Sequence, residues 1–289
     1  MLDCHIHFMP LIGPAEAPQR FLERAADAGV TGGSIFSLPP ESFRPDPERS
    51  QHWRSRMEHI LEYCSKTPGF LPFFWIDPTE ADAHKQITAA ADSGIRGFKC
   101  ICNHYSPKSQ LRQFAAIAET GLPIHFHSGI LFDHYASGEF LRPIAFEPLL
   151  EVRDIRFALA HIGNPWYDEC ILLHAKFKAA MNNVPGIRKL RMFIDLTPGV
   201  TRVRRRDAFR MLFLSGYADT THDVLWGTDN RINAYNTGKA IFWSNFDRQL
   251  IAEILQESKD HPELYPNLPE NLWELITERN FEDYYSLQQ

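Results

Sequence analysis

Eight short apolar runs, each followed by a longer amphipathic stretch, set the strongest limit on how this chain can fold. The runs are residues 2–7, 33–38, 70–76, 96–101, 122–127, 156–161, 192–197 and 223–228. Helical spacing of apolar residues marks segments near 15–28, 47–66, 79–93, 109–120, 145–152, 166–182, 204–217 and 243–258. Gly29, Gly69, Gly94 and Gly121 stand where a helix hands over to a strand, the expected place for a left-handed C-cap. A strand–helix unit repeated eight times in 289 residues predicts an α/β fold of the parallel (β/α)8, or TIM barrel, type. The structural rival is a doubly wound open sheet. It usually has fewer units and a glycine-rich phosphate loop, and neither GxGxxG nor a Walker A sequence occurs here. Residues 270–285 read as additional C-terminal helices packing on the outside. The proline-rich pieces Leu38–Pro40 and Phe43–Pro47 read as the loop after strand two, and no linker or repeat interrupts the chain, so residues 1–289 are read as one domain.

Composition removes several classes of function. With 44% hydrophobic and 23% charged residues, the chain has the balance of a globular protein. A formal net charge of -6 argues against general affinity for nucleic acid, which needs a basic surface. No apolar run approaches the roughly 18 residues of a membrane span. The first strand-like run begins at Leu2, which argues against a signal peptide. Five scattered cysteines without a CxxC pair suit reduced thiols, so a cytoplasmic location is expected.

Chemistry in a barrel of this kind gathers at the C-terminal ends of the strands. Run one ends in His5-Ile6-His7, whose two imidazoles share a face about 6.7 Å apart along the strand. Run five ends in His125-Phe126-His127-Ser128-Gly129, run six in His161-Ile162-Gly163, and run eight in Trp226-Gly227-Thr228-Asp229. Neutral imidazole and carboxylate suit zinc and similar divalent ions, with water in an open position. An isolated HxH means little. The ordered set HxH, His, His, Asp at successive strand ends points to a functional site.

On Asp3-Cys4-His5-Ile6-His7, Gly97-Phe98-Lys99, Leu122 to Gly129, Ala160-His161-Ile162-Gly163, Trp226-Gly227-Thr228-Asp229 and the closing Ile276 to Phe281, the chain resembles the amidohydrolase superfamily. The likeness is to its Amidohydrolase-2 branch, which also contains aminocarboxymuconate-semialdehyde decarboxylase. It extends from Leu2 to about Tyr285. It implies that His5, His7, His127 and Asp229 bind one divalent metal ion, zinc or alternatively manganese. It also implies that His161 stands beside the activated water, and it makes a homodimer plausible. One departure is Asn230-Arg231 after the aspartate, where a tryptophan-proline-like continuation is common.

From these residues a mechanism is expected in which Asp229 acts as general base and then general acid, and His161 polarises the substrate oxygen. Lys99 has the parity of Gly97 and Ile101, which can send it inward. It is expected to bind a substrate carboxylate or hydrogen-bond within the site, the other reading being a carbamylated bridge between two metals. If Lys99 faces inward, Cys100 and Cys102 face the helices. His125 lies one layer below His127 and is expected to support a ligand. For Asp195, substrate contact and a loop cap are both open. His104 and His134 are loop histidines that could line the pocket, while His52, His59, His84 and His174 fall in helices and read as surface or partly buried groups. The cluster Arg202, Arg204, Arg205, Arg206 and Arg210 reads as a solvated helix start, with Arg202 able to reach the pocket. Arg231, two residues after Asp229, is the candidate for gripping an anionic substrate.

The resulting expectation is a metal-dependent hydrolase of a small organic amide, ester or lactone. The alternative is a non-oxidative decarboxylase of an unsaturated or aromatic acid, and Lys99, Arg142 and Arg231 favour a carboxylate-bearing small molecule in either case. A non-catalytic metal-binding barrel is the third reading, disfavoured by an acid–base residue standing beside an open metal position.

Overall fold

The apolar runs are dense in aromatic and β-branched residues and lack polar alternation, as strands buried on both faces require. In the computed structural model, which describes residues 1–9, 13–43, 52–183 and 190–286, every run overlaps a strand. These are β1 (Leu2–His7), β2 (Gly32–Phe36), β3 (Phe70–Trp75), β4 (Gly97–Cys100), β5 (Ile124–Phe126), β6 (Arg156–Leu159), β7 (Arg191–Asp195) and β8 (Val224–Leu225). A ninth, β9 (Asn230–Arg231), follows four residues after β8. All neighbours pair in parallel, in the order β8-β7-β6-β5-β4-β3-β2-β1-β9. β8 and β9 are two pieces of one strand: the first pairs with β7 and the second with β1. The Cys4 N–H also donates to the Trp226 carbonyl at 3.0 Å in the gap between them. The eighth strand thus closes the sheet into a barrel, and the open-sheet rival falls away.

Helices follow the strands as expected: α1 (Pro18–Asp27), α2 (Trp53–Ser65), α3 (Ala83–Ser93), α4 (Leu111–Glu119), the short α5 (Gly138–Leu141), α6 (Tyr167–Asn183), α7 (Arg202–Leu214) and α8 (Thr237–Asp260). The helix predicted at 145–152 is instead a 3-10 helix over Pro143–Glu151. Pro148 lies inside it and removes an N–H that an α-helix would use. Residues 44–47 of the predicted loop, and the start of the helix predicted over 47–66, lie outside the described residues.

Arg202, Arg204, Arg206 and Arg210 of α7 lie exposed, as a solvated helix start requires, and Arg205 departs from that expectation. Arg205 is fully buried and forms a bidentate ion pair with Asp247 of α8 at 2.5 and 2.6 Å, while its third nitrogen donates to the Leu196 carbonyl at 2.6 Å. Arg206 pairs with Glu253 and Arg210 with Glu257 at the exposed rim of the same contact, so these three arginines join α7 to α8. Arg202 does not line the pocket.

The C-terminal segment also departs from expectation. It comprises α9 (Leu272–Glu274), a π-helical turn over Leu275–Arg279 and α10 (Asn280–Tyr285). Instead of lying outside, it plugs the N-terminal mouth of the barrel. Phe281, Tyr284 and Tyr285 form one buried cluster with Cys4, Phe36, Phe73, Ala158, Phe193 and Leu225 from the strands. The Tyr284 hydroxyl donates to the Ile124 carbonyl and that of Tyr285 to Ser34 Oγ, each at 2.9 Å. The Ile276 carbonyl accepts the Trp226 N–H at 3.0 Å, tying the π turn to the gap in strand eight.

Inside the barrel, Gly97 is required by close approach: a Cβ there would lie 2.2 Å from the Phe73 ring. The inward row of β4 continues to Lys99, whose Nζ lies 4.7 Å from the Phe36 ring centroid. Cys100 and Cys102 pack in the outer, helix-facing core, as alternation predicts. Alternation fails once, in β1, where the register against β2 shifts between Asp3 and Ile6. This bulge lets Cys4 join the interior cluster while His5 and His7 still point inward.

Two outcomes test this architecture. Tyr284→Ala should lower stability in urea unfolding by about 3–5 kcal/mol, as for an aromatic removed from a core; a loss within about 0.5 kcal/mol would place the helix outside. At the barrel base, Asp223 is buried against His174, Lys178 and Arg191 at 3.1, 2.9 and 2.8 Å. Burial opposes its ionisation, but these partners outweigh it and hold the carboxyl well below the usual range. Its stabilisation is therefore present above the unfolded pKa of about 4 and lost as pH falls through the lower folded value. Asp223→Asn should cost about 3 kcal/mol at neutral pH and flatten the acid limb of the stability–pH curve.

Candidate metal centre

Three Lewis-basic atoms converge at the C-terminal mouth of the barrel. His5 Nε2 lies 2.9 Å from His7 Nε2, and Asp229 Oδ1 lies 3.4 Å from His7 Nε2 and 3.9 Å from His5 Nε2. The two histidines come from the end of β1 and the aspartate from the gap between β8 and β9, which barrel closure sets side by side. Asp3 fixes that junction from the outer side of β1. Its Oδ1 accepts the backbone N–H groups of His5 (3.1 Å) and Thr228 (3.0 Å), and its Oδ2 accepts the Thr228 hydroxyl at 2.5 Å. Asp229 has φ 53°, the left-handed region that non-glycine residues avoid. The Lys239 ammonium of α8 donates to its backbone carbonyl at 2.9 Å.

Beneath this trio is a carboxylate that sequence reasoning left undecided. Asp195, at the end of β7, is fully buried and does not line the pocket. Its Oδ1 accepts the Thr197 N–H at 2.6 Å and the Thr197 hydroxyl, capping its own loop. Its Oδ2 accepts from His5 Nδ1 at 2.6 Å and His125 Nε2 at 3.0 Å. His125, expected to support a ligand, bonds Asp195. The inward parity of Phe193, Asp195 and Thr197 was the available signal; the partners come from other strands. Gly227 is also needed here, since a Cβ would meet Thr197 Oγ1 at 2.6 Å.

His161 follows β6 with φ 58°. Its Nδ1 donates to the Thr197 carbonyl at 3.2 Å, which leaves Nε2 as an acceptor. Its ring centroid lies 5.3 Å from that of His5 and 4.9 Å from that of His127. His127 is not in the compact trio with His5, His7 and Asp229, and its buried Nε2 has no hydrogen-bond partner among the described residues. Lys99 is fully buried, its Nζ has no hydrogen-bond partner among the described residues, and it does not reach the pocket wall.

Burial sets the electrostatics. It pushes His7 down to about 3 and His125 to about 4, and it holds His5 and His127 well below the usual imidazole range, with the Lys99 charge adding to both. Burial likewise lowers Lys99 to about 8. For Asp195 it opposes ionisation, but His5 and His125 outweigh it and hold the carboxyl well below its ordinary value. Burial opposes ionisation of Asp229 too, and His7, His161 and Lys239 together overcome it. Near neutral pH the cluster therefore offers neutral imidazoles and ionised carboxylates, the protonation states that bind a divalent cation. The facing Nε2 atoms of His5 and His7, with an orphaned His127 Nε2 nearby, fit such an ion.

The pocket above has a volume of about 380 Å³. His7, His127, His161, Asp229 and Arg231 form its polar side, and Met9, Phe43, Trp75, Ile101, Leu131 and Phe132 the apolar one. Arg231 is exposed and lines the wall. Arg142 is committed elsewhere, paired with Glu169 and lying 5.1 Å from the Trp166 ring centroid. Neither loop histidine lines the pocket: His104 bonds Asn103 at 2.9 Å and pairs with Asp77, while His134 packs on Tyr135. His174 is buried on Asp223 and is not a surface group.

No curated protein sequence matches the chain significantly. Among solved structures, the chain is similar to a probable 2-pyrone-4,6-dicarboxylic acid hydrolase from Acinetobacter baumannii with citric acid bound. The identity is 12%, the match covers 99% of this chain and 98% of the other, and the TM-score is 0.61. A zinc-containing amidohydrolase from Burkholderia multivorans matches at 11% identity, 99% and 98% coverage and a TM-score of 0.59. At such identities these likenesses speak for the barrel fold. No helix among the described residues is long and apolar enough to cross a membrane. The family model described as Amidohydrolase matches residues 2–273, nearly the whole sequence, and the chain therefore belongs to the amidohydrolase family and is an enzyme of hydrolase type.

Proposed function

We propose that this enzyme is a metal-dependent hydrolase of a small ester, lactone or amide that carries one carboxylate beside an apolar body. The observation that carries the reading is the convergence of His5 Nε2, His7 Nε2 and Asp229 Oδ1 at the mouth of the barrel. His5, His7 and Asp229 would hold a divalent ion, with His127 as the further donor. Bound there, the ion would supply Lewis acidity towards a carbonyl and a water acidic enough to ionise near neutral pH. Zinc fits the imidazole-rich donor set, manganese is the alternative, and a zinc-containing structural relative is in keeping with this.

The chain's own residues divide the remaining work. Asp229, ionised at the pocket edge, takes the proton from the attacking water and returns it to the leaving group. His161 turns Nε2 to the pocket while Thr197 holds its other nitrogen, so it can orient the water or, once protonated, donate to the substrate oxygen. Arg231 pairs with the substrate carboxylate through its planar fork. Phe43, Trp75 and Phe132 cover the apolar body, and a cavity of about 380 Å³ suits a molecule of that size. A structural relative that carries citric acid agrees with an anionic ligand.

Elemental analysis, followed by a screen of small lactones, esters, amides and unsaturated acids, tests the reaction. Ring opening or acid release is expected, and carbon dioxide release without hydrolysis would overturn the proposal in favour of decarboxylation. Asp229→Asn should retain most of the metal while turnover falls about 10²–10⁴-fold, the usual scale for losing a general base. Arg231→Met should raise KM for a carboxylate substrate about tenfold or more and leave an uncharged analogue unaffected, as expected for a lost charged hydrogen bond.

A further inference from the structure

Asp195 has no place among the reacting groups, yet its position relative to them is unusually well defined. Four nitrogen and oxygen donors among the described residues reach its two oxygens, the Thr197 N–H and hydroxyl on Oδ1 and His5 Nδ1 with His125 Nε2 on Oδ2, with the Cys4 thiol beside them. A carboxylate offers about four acceptor sites and no proton, so it is saturated as a pure acceptor. The Thr197 N–H can only donate, which fixes Oδ1 towards the loop and leaves Oδ2 to the two imidazoles. Both imidazoles must then present N–H to Asp195. For His5 this leaves Nε2 as the bare nitrogen, and Nε2 is the atom 2.9 Å from His7 Nε2 and 3.9 Å from Asp229 Oδ1.

We infer that Asp195 is a positioning residue that locks His5 in its Nδ1–H tautomer and thereby aims a lone pair at the cation site. The inference deepens the proposed metal-dependent function and rests on it for its consequence. The tautomer itself is a property of the protein alone. Thr197 extends the same device, because its N–H and hydroxyl orient Asp195 while its carbonyl accepts from His161 Nδ1. One loop residue therefore sets the unprotonated nitrogen of both His5 and His161. Cys4 lies close to Asp195 and His125, but Asp195 has no acceptor site left for a second cation there.

Asparagine at position 195 reverses the lock without changing shape. Thr197 would still need an acceptor at Oδ1, so the amide nitrogen would fall where Oδ2 lies and donate to His5 Nδ1. His5 would be driven to its Nε2–H form, with a proton facing the cation site. Imidazole nitrogen–proton correlation spectra of the metal-free full-length protein, with His5 assigned by its loss in His5→Gln, read this directly. The Nδ1–H tautomer is expected in the wild type and Nε2–H in Asp195→Asn. Zinc(II) alone, titrated against a competing chelator, should bind Asp195→Asn about 10–100-fold more weakly, the usual range for a lost partner behind a metal-ligating histidine. A merely structural role would lower the melting temperature and move neither readout. Nε2–H His5 in the metal-free wild type would overturn the inference, and that measurement decides even if Asp195→Asn fails to fold. Wild-type zinc affinity in a folded Asp195→Asn would overturn it equally. Failure of the wild type to bind zinc would instead count against the proposed function, and the tautomer spectrum would still judge the lock.

Discussion

A parallel sheet leaves unpaired N–H and C=O groups at both edges unless it curls round and joins them, and here the join falls on residues 224–231. β8 completes the β7 edge, β9 completes the β1 edge, and residues 226–229 bridge the two. The bridge is held on three sides. Cys4 donates to the Trp226 carbonyl, the Ile276 carbonyl accepts the Trp226 N–H, and Asp3 binds the backbone and hydroxyl of Thr228. Asp3 also holds the His5 N–H, so one buried carboxyl sets the distance between the strand that supplies two histidines and the turn that supplies Asp229. The positive φ of Asp229 is tolerable because this junction is over-determined.

Burial does the second part of the work. Imidazoles in a low-dielectric interior lose their protons, which the low values of His7 and His125 express. A neutral imidazole still has two tautomers, and desolvation alone does not choose between them. Hydrogen bonds do: Asp195 for His5 and His125, and the Thr197 carbonyl for His161. The proposed presentation of lone pairs to a cation and acceptors to a substrate therefore rests on partners that line no part of the pocket.

The two ends of the barrel have different duties. At the base, aromatic residues of α10 fill the interior and give the strands a floor, while Asp223 gathers charges from α6 and β7. Arg205 and Asp247, with flanking pairs, fasten α7 to α8, the helices that precede and follow the closing strand. At the top, one wall of the pocket is polar and the other apolar. The division follows the strand ends: histidines and aspartate from β1, β5, β6 and the turn after β8, and aromatic or aliphatic groups from the end of β3 and the loops after β1, β2, β4 and β5.

Period and order determined much of this from the sequence alone. Eight apolar runs separated by helical patterns suffice for a barrel because burial on both faces and short connections leave few other solutions. Within each strand, alternation placed His5 with His7 and sent Lys99 inward while Cys100 and Cys102 turned to the helices. The family resemblance followed from the same strand-end residues. Tertiary structure alone decided contacts between residues distant in sequence that no local pattern encodes. Asp195 could be assigned an inward face, but not the two histidines, 190 and 70 residues away, that it binds. Arg205 looked like one of five solvated arginines until α8 brought Asp247 against it. Tyr284 and Tyr285 belong to an amphipathic tail whose buried face could have met any apolar surface, and only the closed barrel offered an open base to fill. Local periodicity reports which side of an element avoids water; which partner waits there is settled when the chain closes on itself.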